Sequence, residues 1–212
     1  CILFFRLGDF YEMFFEDAEI ASRELDIVLT ARESGQHRIP MCGVPYHAAN
    51  TYIKRLLDRG FRVAICDQVE DPRQAKGIVQ REVTRVVTPG TALDETWLTE
   101  DNNFLAALVL DEETAGFAYV DLLTGEFGAC QLSGTRVRAG LMDEVARIRP
   151  AECLVPMWSS QEVQSMLGDE FPGILITEVD PVHFSQESAY PKLEKYFGND
   201  TDAINRLKER RE

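Results

Sequence analysis

The residues best placed to do chemistry stand in the run Gly8-Asp9-Phe10-Tyr11-Glu12. A purely local reading accounts for much of it. Asp9 is a good helix N-cap, Glu12 three residues on completes a capping box, and Phe10 opens the helix. That reading leaves aromatic surface over. Phe10, Tyr11, Phe14 and Phe15 fall within six positions, and at about 100° per residue they cannot all face one core. Tyr11, Phe14, Phe15, Ala18 and Ala21 share a stripe, so Phe10 is expected to project from the helix tip. An exposed phenyl ring at such a place is suited to wedging between stacked bases.

Other chemistries find less support. No G-x4-G-K-S/T loop occurs to cradle a nucleotide, and there is no G-x-S-x-G elbow. Cys1, Cys42, Cys66, Cys130 and Cys153 are odd in number, widely spaced and without a C-x-x-C pair. They read as reduced thiols of a cytosolic protein, with no disulfide framework. His37, His47 and His183 have no neighbour at ligand spacing, so no metal site is expected. The longest apolar run, Cys1 to Phe5, is far short of the roughly 20 residues of a spanning helix. The start has no basic signal region and no initiator Met, which reads as a chain entered inside a strand with residues missing before Cys1.

Charge narrows the partners. The 212 residues carry a formal net charge of −14, which excludes a uniformly basic coat for nucleic acid. The excess is uneven: residues 1–98 hold 12 basic and 15 acidic side chains, and residues 99–212 hold 10 and 21. Between 32 and 85 the sign reverses, with ten basic residues against six acidic. The first half can therefore meet a polyanion, and the second half should repel one.

The pattern predicts two α/β units. In the first, strands are expected at Ile2 to Leu7, Asp26 to Ala31, Phe61 to Cys66 and Glu82 to Thr88. Helices are expected at Phe10 to Glu24 and Ala48 to Asp58, with Gly60 ending the second. Gly35 to Arg38 reads as loop, and Pro40 and Pro45 bracket a segment too proline-rich for a central strand. Asp71-Pro72 reads as a turn. Pro89 through Asn103 has little period and reads as the connection, giving domains over 1–89 and 104–212 with a linker at 90–103. The second unit opens with strands at Phe104 to Leu110, Gly116 to Leu122 and Glu126 to Leu132, the last two joined at Thr124-Gly125. A helix at Arg136 to Ile148, strands at Glu152 to Val155 and Gly173 to Thr177, and helices near 160–167 and 200–211 complete it. The fold class is α/β: a mixed-sheet domain followed by one of RNase H-like topology.

A series of motifs then points to a family. Phe5-Arg6-Leu7-Gly8-Asp9-Phe10-Tyr11-Glu12-Met13-Phe14 is followed in order by Leu25-Asp26-Ile27 and Leu29-Thr30-Ala31-Arg32. Next come Ile39-Pro40-Met41-Cys42-Gly43-Val44-Pro45-Tyr46-His47-Ala48, Val63-Ala64-Ile65-Cys66-Asp67-Gln68 and Arg85-Val86-Val87-Thr88-Pro89-Gly90-Thr91. Asp121-Leu122-Leu123-Thr124-Gly125-Glu126-Phe127 closes the series. Together they resemble the mismatch-recognition and connector domains of the MutS family of DNA mismatch repair proteins, over nearly the whole chain.

The resemblance implies a fragment that is not itself an enzyme. The family's lever, clamp and ATPase domains would lie outside it, along with the ATP, the Mg²⁺ and the contacts of the homodimer. It implies mismatched double-stranded DNA and MutL as partners, no membrane, and a bacterial cytoplasmic, nucleoid-associated location. Phe10 would insert and stack on a mispaired base, testing how easily the duplex deforms. Glu12 would bond the displaced base edge and, being repelled by phosphates, penalise intact duplex. Arg32 and Arg81 match positions of backbone contacts. Arg38 and Lys76 are weaker candidates on local charge, and Met41 is a candidate for packing along a groove. Two alternatives stand: a protein-binding regulatory fragment of a MutS relative, and a metal-dependent nuclease using Asp111, Asp121 or Asp180.

Overall fold

The computed structural model describes residues 1–35, 37–70, 79–93 and 102–198. Its strands fall into two sheets, each with its own apolar core.

The first sheet is built from β1 (Ile2–Leu7), β2 (Phe10–Phe14), β3 (Thr30–Ser34), β4 (His37–Pro45), β5 (Val63–Gln68) and β6 (Arg81–Val87), in the order β3-β4-β2-β1-β5-β6. Strand alternation divides its faces. Ile2, Phe4, Tyr11, Met13, Cys42, Val44, Val63 and Ile65 point to one side and are buried. The helices α1 (Phe15–Leu25) and α2 (Ala49–Leu57) cover that side with Ala18, Ala21, Leu25, Ile53 and Leu56. Full burial of a side chain such as Phe4 or Met13 is worth about 1.5–3 kcal/mol. Phe10, Glu12 and Phe14 alternate with Tyr11 and Met13 and so lie on the other side, which no helix among the described residues covers.

Three expectations are corrected here. Phe10 does not stand at a helix tip. Phe10–Phe14 is a strand, antiparallel to β1, and the helix begins only at Phe15. The expected Asp9–Glu12 capping box is consequently absent: the N-cap is Phe14, with no side-chain cap bond. The strand runs into the helix without a loop, because Phe15 makes the reversal at φ 53°. The proline-bracketed segment is also a strand. β4 pairs with β3 from His37 to Met41 and with β2 from Met41 to Pro45. Pro40 and Pro45 thus each have a ladder on one side only, which is where proline is tolerated. Finally, β3 starts at Thr30 rather than Asp26, which instead caps α1 at φ 55°.

The second sheet has the order β11-β10-β7-β8-β9. β7 (Phe104–Leu110), β8 (Thr114–Asp121) and β9 (Phe127–Ser133) form an antiparallel meander, while β10 (Glu152–Pro156) and β11 (Leu175–Val179) run parallel to β7. α3 (Val137–Ile148) and α4 (Ser160–Gly168) make the crossovers. This is the RNase H-like arrangement expected. α5 (Gln186–Phe197) has no counterpart in the sequence pattern, because Pro191 lies inside it. The helix expected near 200–211 and the turn at Asp71-Pro72 lie outside the described residues. No helix among the described residues is long and apolar enough to cross a membrane.

Candidate nucleic-acid interface

β1 and β2 are joined by Gly8-Asp9, with Leu7 facing Phe10 across the pair. Gly8 takes φ 57°, the left-handed value that a tight hairpin needs at its first central position. The turn is held on two sides. Arg6 Nε donates to the Gly8 carbonyl at 2.6 Å, and the Tyr46 N–H donates to the Asp9 carbonyl at 2.8 Å. The Arg6 guanidinium lies 3.4 Å from the centre of the Tyr46 ring, a stacked cation–π contact. Phe10 stands immediately beyond this fixed turn and is 47% exposed.

Tyr11, the next residue, points the other way. It is buried, and its hydroxyl donates to Asp67 Oδ1 at 2.6 Å. Burial, then the Asp67 carboxylate, drives its pKa far above the ordinary phenol value. Thr84 Oγ1 donates to the second Asp67 oxygen at 3.1 Å. Tyr11, Tyr46, His47, Asp67 and Arg85 line a cavity of about 560 Å³ that also includes the α2 residues Asn50 and Ile53. It therefore belongs to the helix side, away from Phe10.

Glu12 returns to the open side, two residues and so about 7 Å along the strand from Phe10. Its side chain is only 19% exposed. Its Oε2 is shut off from solvent and has no hydrogen-bond partner among the described residues. The nearest approach of Arg32 is 3.9 Å, from Nη1, too long for a hydrogen bond. Opposite Glu12 on β4 is Gly43, where a Cβ would lie 3.5 Å from Glu12 Cγ and 3.3 Å from the Tyr11 carbonyl oxygen.

The other sequence candidates are spread over this unit. Met41 is half-buried where the two ladders of β4 meet, paired to both Thr30 and Phe14. Arg38 is exposed opposite Glu33. Arg81 is partly buried. Its Nε donates to the Arg6 carbonyl and its Nη1 to the Val79 carbonyl, both at 2.7 Å, and it lies over the Phe5 ring. Two of its five donors are thus committed to backbone. Lys76 lies outside the described residues. Sequence reasoning missed Arg6, Tyr46 and Gly43. Register with β4 brings Tyr46 and Gly43 to the hairpin, whereas Arg6 stands on it already, and an Arg two residues before a Gly-Asp turn is a usable local cue.

The nuclease candidates have structural occupations. Asp121 is buried and accepts N–H bonds from Leu123, Thr124 and Asn103 at 2.9, 3.2 and 3.1 Å. Asp111 accepts from Glu112, and Asp180 from Val182. Among the described residues no three His, Cys, Asp or Glu side chains are grouped so as to hold a metal ion.

Comparison with known proteins identifies the family. A family model described as MutS domain I matches residues 1–96, and one described as MutS domain II matches residues 103–209. Curated relatives carry the name DNA mismatch repair protein MutS. That of Pelotomaculum thermopropionicum is 51% identical over 207 residues, covering 97% of this chain and 24% of the relative. That of Syntrophomonas wolfei is 61% identical over 156 residues, 73% of this chain and 18% of the relative. That of Symbiobacterium thermophilum is 48% identical over 201 residues, 93% and 23%. The chain spans about a quarter of the length of such relatives.

Proposed function

The chain belongs to the MutS family, as its domains I and II, and from that premise we propose that its first sheet reads mispaired or unpaired bases in double-stranded DNA. The observation that carries the reading is the pairing of a half-exposed Phe10, set beside a pinned turn, with the orphaned carboxylate of Glu12 on the same face.

The Phe10 ring enters between base pairs and unstacks them. Unstacking costs a few kcal/mol per step, and least where pairing is already defective. The difference between defective and intact duplex is the recognition energy, so deformability is read rather than sequence. Rigidity of the turn matters because a wedge that yields transmits no bend. Glu12 accepts an N–H from a displaced base. In intact duplex those N–H groups are already paired, and the carboxylate meets only phosphate repulsion. Arg32 and Arg38, both exposed, are proposed backbone contacts, as are Arg81 with its remaining donors and Lys76. Met41 lies on the same face and packs along the groove.

The second, acidic sheet does not hold DNA in this reading. It relays the state of the first sheet to an ATPase elsewhere in the full-length protein, where ATP and Mg²⁺ bind and subunits pair. MutL is its partner, and the setting is the bacterial cytoplasm near the nucleoid. The test is a comparison of affinity for a duplex with one G·T pair and for its matched counterpart, in the full-length protein. Phe10→Ala should reduce the ratio of the two affinities to about one, and Glu12→Ala should reduce it by tightening the matched complex. A Phe10→Ala protein that keeps the full ratio would remove the wedge from the mechanism.

A further inference from the structure

Arg32 and Glu12 stand on strands that are not neighbours. The sheet order is β3-β4-β2, so β4 lies between them, and strands two apart are separated by about 10 Å. Register adds a stagger, since Arg32 pairs with Ile39 on β4 and Glu12 with Gly43, so the Arg32 side chain reaches diagonally over β4 to the carboxylate beside Gly43. A side chain there would begin 3.5 Å from Glu12 Cγ. The result is an incomplete ion pair. Nη1 and Oε2 are 3.9 Å apart, close enough for charge neutralisation and too far for a hydrogen bond, and the oxygen has no other partner among the described residues. Arg32 is meanwhile 60% exposed, so it is free to turn toward an arriving phosphate.

We infer that Arg32 is a specificity-determining residue that is handed from Glu12 to a DNA phosphate only when a displaced base takes its place at the carboxylate. The inference rests on the reading of Glu12 given above. Its logic is exchange. A buried carboxylate oxygen left with neither cation nor hydrogen bond is strongly unfavourable. In a matched duplex no base N–H is free, so Arg32 stays with Glu12 and makes no phosphate contact. At a mismatch the base N–H satisfies Oε2, Arg32 is released, and the complex gains one contact to the backbone. One guanidinium thus converts base reading into extra electrostatic affinity. A fixed phosphate contact would give no such difference.

Salt dependence separates the two. Each phosphate neutralised adds about one to the slope of log affinity against log salt concentration. Slopes are measured for the full-length protein on a duplex with one G·T pair and on its matched partner. Arg32→Ala should lower the slope by about one on the mismatched duplex and leave it unchanged on the matched one. Glu12→Gln, which removes the charge that retains Arg32, should raise the slope by about one on the matched duplex. Arg32→Lys, which keeps the charge, should retain the parent slope on both duplexes. Equal loss of slope on both duplexes in Arg32→Ala would overturn the exchange and make Arg32 an ordinary phosphate contact. Failure of the underlying base reading would show differently, as a parent protein whose affinity ratio does not depend on Glu12 at all.

Discussion

Glu12 and Asp121 are both strand carboxylates set back from solvent, and their surroundings differ in what is left unfilled. Asp121 receives three backbone N–H groups and closes the turn between β8 and β9. Glu12 has an oxygen that receives none from the described residues. A filled acceptor stabilises the fold, whereas an empty one is available to a ligand. The filled one has a pH signature. Burial by itself would raise the Asp121 pKa, but the N–H groups of Leu123, Thr124 and Asn103 outweigh it and hold the carboxyl below its ordinary value. A carboxyl depressed in the folded state contributes stability that is complete above its unfolded pKa of about 3.9 and is lost as pH falls through the folded value. Asp121→Asn should therefore flatten the acid limb of a stability-versus-pH curve below about pH 4. An unchanged acid limb, measured by urea unfolding at several pH values, would assign the acid sensitivity to other groups.

At the scale of elements, the hairpin that carries Phe10 depends on two left-handed residues of opposite consequence. Gly8 adopts φ 57° at no steric cost, while Phe15 adopts φ 53° against the clash of its Cβ. Gly8→Ala should destabilise the domain by about 1–2 kcal/mol. Phe15→Gly should have the reverse sign, because Phe15 is 62% exposed and gives up little burial while its backbone strain is relieved. Thermal melts of the two variants decide this, and a Phe15→Gly protein that melts below the parent would show that the ring has packing worth more than the strain. The same conformation explains why sequence periodicity merged β2 with α1. A strand that enters a helix through one bulky residue leaves no Gly, Pro or polar break to read. β4 was hidden for a related reason: its prolines signal an edge, and each is at an edge only because two partners share the strand in halves. By contrast β7 was plain, since Phe104, Ala106, Leu108 and Leu110 alternate without interruption.

For the whole molecule, the connection between the sheets is more than a tether. Pro89–Thr91 forms a 3-10 turn directly after β6, and the Gly90 N–H donates to Glu152 Oε2 at 3.1 Å. Glu152 is buried on β10 and also accepts from Thr177 Oγ1 at 2.6 Å, while Asn103 Nδ2 donates to the Pro89 carbonyl at 2.9 Å. The end of one sheet is thus fastened to the middle of the other. A Cβ on Gly90 would stand 2.8 Å from Glu152 Cβ and 2.9 Å from Leu105 Cδ1, so even one methyl must displace the turn. Gly90→Ala should cost about 1–3 kcal/mol and split a joint calorimetric unfolding transition into two. A single transition at the parent temperature would mean that the turn does not couple the sheets.

The exposure of Phe10 comes from strand alternation and not from the helical spacing that suggests it, whereas local patterning is enough for the α/β class, both helices that face the first core and the meander of the second unit. These follow from periodicity, which is a local property of the chain. Only register and packing put Phe10 on a strand beside a stacked Arg6–Tyr46 pair, bring Arg32 to within 3.9 Å of Glu12 and seat Gly90 on Glu152. Those relations join residues brought together by strand register and by the packing of separate elements. No spacing within a single segment encodes them, because each partner is selected by the ladder or by packing between elements and not by the residues next in line.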